Sequence, residues 1–158
     1  MKRRAPPPPV RLAIRLTGVD ELVVIELAAA AEPVVVAVIA NLARAGNYTG
    51  GTARTLAGWT VFDIARPALA RLEPRRVRQS IFDRGAVGLA WLRTVSDSDG
   101  SLFITRRRES GLDAPYAHLG QAVAGLGALD RLPITAKPLR LGEAPPARVT
   151  VENVEVVR

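Results

Sequence analysis

Side chains suited to acid–base, nucleophilic or metal chemistry are scarce in this chain. His118 is the only histidine, and there is no cysteine. Disulfides, zinc–thiolate sites and cysteine nucleophiles are therefore excluded. No set of carboxylates is clustered along the sequence, so neither a metal nor another cofactor is expected. What remains is arginine: twenty against two lysines, with a net charge of +7. Arg106-Arg107-Arg108 is the one local basic run, and such a run can contact phosphates. It has no aromatic neighbours, and the other positive charges are dispersed. A solvated loop is expected there, and nucleic acid is not an expected partner. The preference for arginine over lysine points to a GC-rich, bacterial coding sequence.

The elements that would position any site are short. The chain has 158 residues, 48% hydrophobic and only 4% aromatic. That suits one domain of ordinary size with a core of Val, Leu, Ile and Ala. Residues 1–9 carry four consecutive prolines, Pro6 to Pro9, and read as a flexible or polyproline arm ahead of a domain over 10–158. Val10, Leu12, Ile14 and Leu16 alternate with Arg11, Ala13, Arg15 and Thr17, the period of a half-buried strand. A turn over 17–20 leads to a second strand over 22–27, making a hairpin.

Residues 33–45 leave two alternatives open. Val34-Val35-Val36 favours strand by propensity. Pro33 at a first helical position, Gly46 at the stop, and apolar residues at Val36, Ile39, Ala40 and Ala43 favour helix. Further runs span Leu56–Ile64, Ala86–Leu92, Leu102–Thr105, Leu119–Val123 and Val149–Val157, with a short helix or turn over Leu126–Leu132. Residues 66–80, rich in Arg and Pro, read as a surface loop. Many short strands imply a barrel or sandwich.

The stretch Leu22–Leu42 is apolar but contains Glu26, Glu32 and Pro33, so no membrane span is expected. Met1-Lys2-Arg3-Arg4 is followed by prolines rather than an apolar run, which favours a cytoplasmic chain. A periplasmic location would require a signal peptide further upstream.

Six segments, in the family's order along the chain, resemble the cyclophilins. Pro33–Gly50 is similar to their first helix and the Gly-Tyr-Tyr-Asp-Gly turn after it. Val23-Val24-Ile25-Glu26-Leu27 is similar to the strand before that helix. Arg84-Gly85-Ala86-Val87-Gly88-Leu89-Ala90 resembles Arg-Gly-Thr-Val-Gly-Met-Ala. Ser98-Asp99-Gly100-Ser101-Leu102-Phe103-Ile104-Thr105 resembles Asn-Gly-Ser-Gln-Phe-Phe-Ile-Thr. Leu112-Asp113 and Leu119-Gly120-Gln121-Ala122-Val123 are similar to Leu-Asp-Gly and Phe-Gly-Arg-Val. The resemblance covers 22–132. It implies a mainly β fold, an eight-stranded antiparallel barrel with two helices, and turns the valine-rich segment into a helix. It also implies action on proline-containing polypeptide segments in protein folding, and a monomer is expected.

Isomerising a prolyl peptide bond means crossing a barrier of about 18–20 kcal/mol that comes from amide resonance. Lowering it requires an apolar pocket for the pyrrolidine ring and groups that hold the carbonyl. A donor to the proline nitrogen helps further, because its lone pair is freed as the amide twists. In the family, as the resemblance implies, that donor is an arginine. Aligned without a gap, the arginine position falls on Thr55, with Arg54 one position early and expected on the opposite face. The pocket phenylalanine falls on Thr60 and the carbonyl-binding glutamine on Asp63, a carboxylate that repels a peptide carbonyl. The second glutamine falls on Ser101 and the tryptophan before Leu-Asp on Gly111. Trp91 stands where relatives have Asn, beside Ala90. Val61, Phe103, Leu112 and Tyr116 keep apolar or ring-bearing positions, and they serve equally well as core. His118 falls where relatives have a small apolar residue. The expectation is therefore an isomerase-like protein of weak or absent activity. The alternative is a non-catalytic module that binds prolyl peptides or other proteins on the same scaffold.

Overall fold

The computed structural model describes residues 7–30, 32–67, 72, 81–90, 98–112, 117–134 and 149–157. Among them, eight strands close into one antiparallel barrel: β1 (Val10–Leu16), β2 (Val23–Leu27), β3 (Thr52–Thr55), β4 (Trp59–Asp63), β5 (Ala86–Leu89), β6 (Leu102–Thr105), β7 (His118–Ala124) and β8 (Val149–Val157). Their order around the barrel is β1-β2-β7-β5-β6-β4-β3-β8. Closure pairs every edge, so no strand presents an unpaired ladder.

The alternation in β1 does what its period requires. Leu12, Ile14 and Leu16 are buried inside, and Arg11 pairs outside with Glu26 of β2 at 2.9 Å. The hairpin predicted over 10–27 is present, in the register Leu12↔Ile25. Helix α1 runs over Pro33–Arg44 and buries Val35, Val36, Ile39, Ala40 and Ala43, packing against β8 and β1. The strand propensity of Val34–Val36 is overridden because the three- and four-residue spacing gives this segment one apolar face for the barrel. Pro33 sits at its first turn, and Gly46, at φ +77°, follows its end. A second, short helix, α2 (Leu126–Asp130), packs on β2. Neither helix is long and apolar enough to cross a membrane.

The run Leu56–Ile64 is not one strand. The ladder starts earlier, at Thr52, breaks at a turn over 56–58 and resumes at Trp59. Of Ala86–Leu92, the strand covers Ala86–Leu89; Trp91 and Leu92 lie outside the described residues, as does most of 66–80.

The barrel core is aliphatic: Leu12, Ile25, Leu27, Val87, Ile104 and Leu119 are all fully enclosed, and Phe62 is the one phenylalanine among them. A second, smaller apolar cluster lies apart from it. Val61, Phe82, Ala86 and Phe103 form its buried centre, with Leu56, Trp59, Ala90 and Leu112 packed around them.

Candidate functional site

Register decides which side chains meet. In an antiparallel pair, directly opposed residues share a face. Arg54 opposes Val61, Val61 opposes Phe103, Phe103 opposes Gly88, and Gly88 opposes His118. This row crosses the outside of the barrel. Thr55 opposes Thr60, Thr60 opposes Ile104, Ile104 opposes Val87, and Val87 opposes Gly120. That row lines the inside.

The two positions expected to carry the donor are therefore exchanged. Thr55 is 1% exposed, and its hydroxyl shares a hydrogen bond of 3.1 Å with that of Thr60, which is wholly enclosed. Neither threonine reaches a ligand on the outer face, so the expectations for Thr55 and Thr60 are corrected. Arg54, expected to face away, stands on the outer face beside the second apolar cluster. Its Nε and Nη2 donate to the two carboxylate oxygens of Asp63, the latter at 3.1 Å. The hydrogen bond to Asp63, opposed by partial burial and aided by the carboxylate's charge, raises the pKa of the guanidinium. It stays charged at any working pH. Asp63 is thus occupied by Arg54 and is not a bare carboxylate facing a peptide carbonyl.

The physical cause is the register between β3 and β4. The gapless alignment sets the donor six positions before Val61. In this barrel the residue opposite Val61 lies seven positions before it, and that residue is Arg54. A difference of one residue in this register inverts the face of everything on the β3 side. The same shift exposes a residue that the gapless spacing misses. Trp59 is half-buried on the outer face, two residues before Val61, and packs on the cluster. The signal for it is an aromatic directly after Gly58, as in the family's Gly-Phe.

Phe103 forms the floor of the cluster, 3% exposed. Its ring lies over Gly88, where an added Cβ would be 2.2 Å from Cζ and 2.4 Å from Cε1. Phe82 stacks on it at 5.4 Å between centroids and 27° between planes. Gly88→Ala is expected to push both rings outward and to destabilise the fold by about 1–3 kcal/mol, as overpacking does. Chemical denaturation measures the loss, and the Phe103 ring resonances report the displacement.

His118 meets the edge of Phe82 at 5.6 Å and 70°. Burial lowers its pKa, so the folded protein holds it neutral. The unfolded chain binds this proton more readily, so stability falls as the pH drops below the ordinary histidine value of about 6.5. Because His118 is the only histidine, urea midpoints measured across that window in the native chain and in His118→Gln isolate its contribution. The slope is expected to vanish in the variant.

Ser101 is buried and its hydroxyl accepts the Ile64 N–H at 3.0 Å, just past the end of β4. Leu112 ends a short turn over Ser110–Leu112 and, with Ala90, flanks the cluster. Gly111 is exposed beside it. Tyr116 and Trp91 lie outside the described residues.

The basic run is structural. Arg106 donates to the carbonyls of Leu56 (3.0 Å) and Ala57 (3.3 Å) in the β3–β4 turn and of Asp130 in α2 (3.3 Å). Arg107 pairs with Glu109 at 2.7 Å, and Arg108 reaches the Phe82 carbonyl at 3.1 Å. Arg84 clamps Asp130 through both guanidinium nitrogens at 3.1 and 2.7 Å and holds its carboxyl below the usual carboxylate range. These arginines lock the loops around the outer cluster. Among the described residues, no group of three or more His, Asp or Glu side chains is placed to hold a metal ion.

A closed eight-stranded antiparallel barrel with two helices is an arrangement that other proteins share. No protein-family model matches the chain, and none of the curated proteins matches it. Solved structures do. The chain is similar to the Mimivirus cyclophilin, with a TM-score of 0.73 at 16% identity over 98% of this chain and 92% of that one. It is similar to a cyclophilin-type peptidyl-prolyl cis-trans isomerase of Cryptosporidium parvum, crystallised in the presence of the dipeptide Ala-Pro. There the TM-score is 0.71 at 14% identity over 94% of this chain and 99% of that one. A second structure of the same parasite protein gives 0.67 at 14% identity over 95% of this chain and 98% of that one. The chain has the cyclophilin fold.

Proposed function

We propose that this protein is a peptidyl-prolyl cis-trans isomerase of the cyclophilin type, with Arg54 as its donor. The observation that carries the proposal is the position of the Arg54 guanidinium. Arg54 stands on the outer face in the same row as Val61 and Phe103, whose cluster also takes in Trp59, Leu56 and Leu112, and Asp63 holds its guanidinium. The apolar surface suits a pyrrolidine ring. A fixed, permanently charged donor at its side suits the proline nitrogen, which gains a lone pair only when the amide is twisted. A contact that forms only in that state lowers the barrier. No covalent step and no cofactor is needed. The substrates are proline-containing polypeptide segments, which fits a role in protein folding.

A second reading, a prolyl-peptide binder without activity, draws on the same pair. Two of the guanidinium's nitrogens are already engaged by Asp63, which leaves fewer donors for a substrate. Exchange spectroscopy on a panel of Xaa-Pro tetrapeptides separates the two. Acceleration of cis/trans exchange by catalytic amounts of protein supports the isomerase. Peptide shifts without acceleration support the binder, and neither effect removes both.

A further inference from the structure

We propose that Asp63 is a positioning residue on the outer face: its carboxylate holds the Arg54 guanidinium in the orientation in which it serves the twisted prolyl amide. This rests on the isomerase reading above and deepens it. The side chain of Arg54 is half-exposed and would otherwise sample many rotamers. Thr52, not Arg54, lies directly opposite Asp63. The contact is therefore diagonal, spanning two residues along the strand within reach of a long side chain. Nε and Nη2 meet one oxygen each, the side-on bidentate form that fixes the plane of the group as well as its position. Nη1 has no hydrogen-bond partner among the described residues and keeps two N–H groups for a substrate. The other neighbour of Asp63 along the sheet is the β6 end at Ser101, which is neutral and bonded to the Ile64 N–H. No second cation among the described residues competes for the carboxylate. A neutral glutamine at this position would offer one accepting oxygen; the carboxylate offers two and complements the charge.

Two effects oppose each other. The carboxylate weakens the field that Arg54 projects, and it removes the cost of ordering Arg54 each time a substrate twists. The pair is partly solvent-exposed, so the loss of field is screened, while the ordering cost is not. Positioning therefore wins. It acts on the twisted state and not on the bound ground state, so it shows in kcat rather than in KM.

The test measures kcat and KM for one Ala-Pro peptide with the full chain, alongside Asp63→Ala, Asp63→Asn, Arg54→Ala and the Arg54→Ala/Asp63→Ala double variant. Thermal melts of each are run in parallel. Asp63→Ala is expected to lower kcat about tenfold with KM within about twofold and the melt unchanged. Asp63→Asn, which keeps one accepting oxygen, recovers part of the loss. On the Arg54→Ala background, Asp63→Ala has no further effect, since residues acting as one unit are not additive. A wild-type chain that isomerises while Asp63→Ala matches or exceeds it overturns this role for Asp63 and leaves the isomerase standing. Equal losses from Asp63→Ala with and without Arg54 also overturn it. An inactive wild-type chain overturns the isomerase reading and the positioning role with it.

Discussion

Arg54→Ala is expected to lower kcat/KM for prolyl isomerisation by about 10²–10³-fold, the usual loss when one preorganised donor to a developing charge is removed. Stability should hardly change, because the guanidinium and Asp63 form a partly exposed pair of the kind worth about 0–1 kcal/mol. The contrast that gives this result its meaning is Thr55. Thr55→Ala should leave activity within about a factor of two. It should cost about 1 kcal/mol of stability instead, because it breaks the enclosed hydrogen bond to Thr60. Thr55→Arg, which the gapless alignment would recommend for raising activity, should instead unfold the protein. It drives a guanidinium into the barrel beside Ile104 and Val87, and an uncompensated charge there costs several kcal/mol. A chain in which Thr55→Ala abolishes exchange and Arg54→Ala does not would reverse the assignment of the two faces.

The second large effect is structural. Gly120→Ala is expected to destabilise the fold by about 3 kcal/mol, near the top of the range for overpacking. A Cβ there would lie 1.9 Å from the carbonyl oxygen of Glu26 and 3.0 Å from Cα of Leu27. Both are backbone atoms of β2, so no side-chain rotation relieves the clash, and the β2–β7 pairing must open. The relevant comparison is Gly111→Ala, where a Cβ meets nothing within 4 Å and a change of only a few tenths of a kcal/mol is expected. Guanidinium denaturation of the two variants measures the difference. Similar midpoints would mean that the strand pair gives way without cost.

Gly120 also shows how far the chain could be read without a fold. Its place in Leu119-Gly120-Gln121-Ala122-Val123 marks it as part of a motif, but not why a side chain is forbidden. That reason is the closeness of another strand 93 positions earlier in the chain. The first hairpin was legible because alternation is a local property, and α1 because its apolar spacing and its flanking Pro33 and Gly46 are local too. The order of six short segments, through the family that they resemble, was enough for the barrel. The break between β3 and β4 was not legible, since Thr52–Thr55 is too short and too polar to read as a strand by itself. Val61, Phe103 and Leu112 were identified as apolar positions. Whether they belonged to the core or to a surface site could not be read, because both uses demand the same residue types.

The sequence by itself determined the first hairpin, the aliphatic core, and the poverty of acid–base and nucleophilic groups. Each of these follows from composition and short-range periodicity. Only the tertiary structure decided which of two neighbouring residues, Arg54 or Thr55, serves the outer face. The period of a strand is two, so a register difference of one residue sends every side chain of the strand to the other face. That choice rests on pairing across β3, β4 and β6, not on any property of the residues themselves. Tertiary structure likewise turned Arg106 and Arg108 from parts of a basic run into loop clamps, because the carbonyls they bind come from segments distant in sequence.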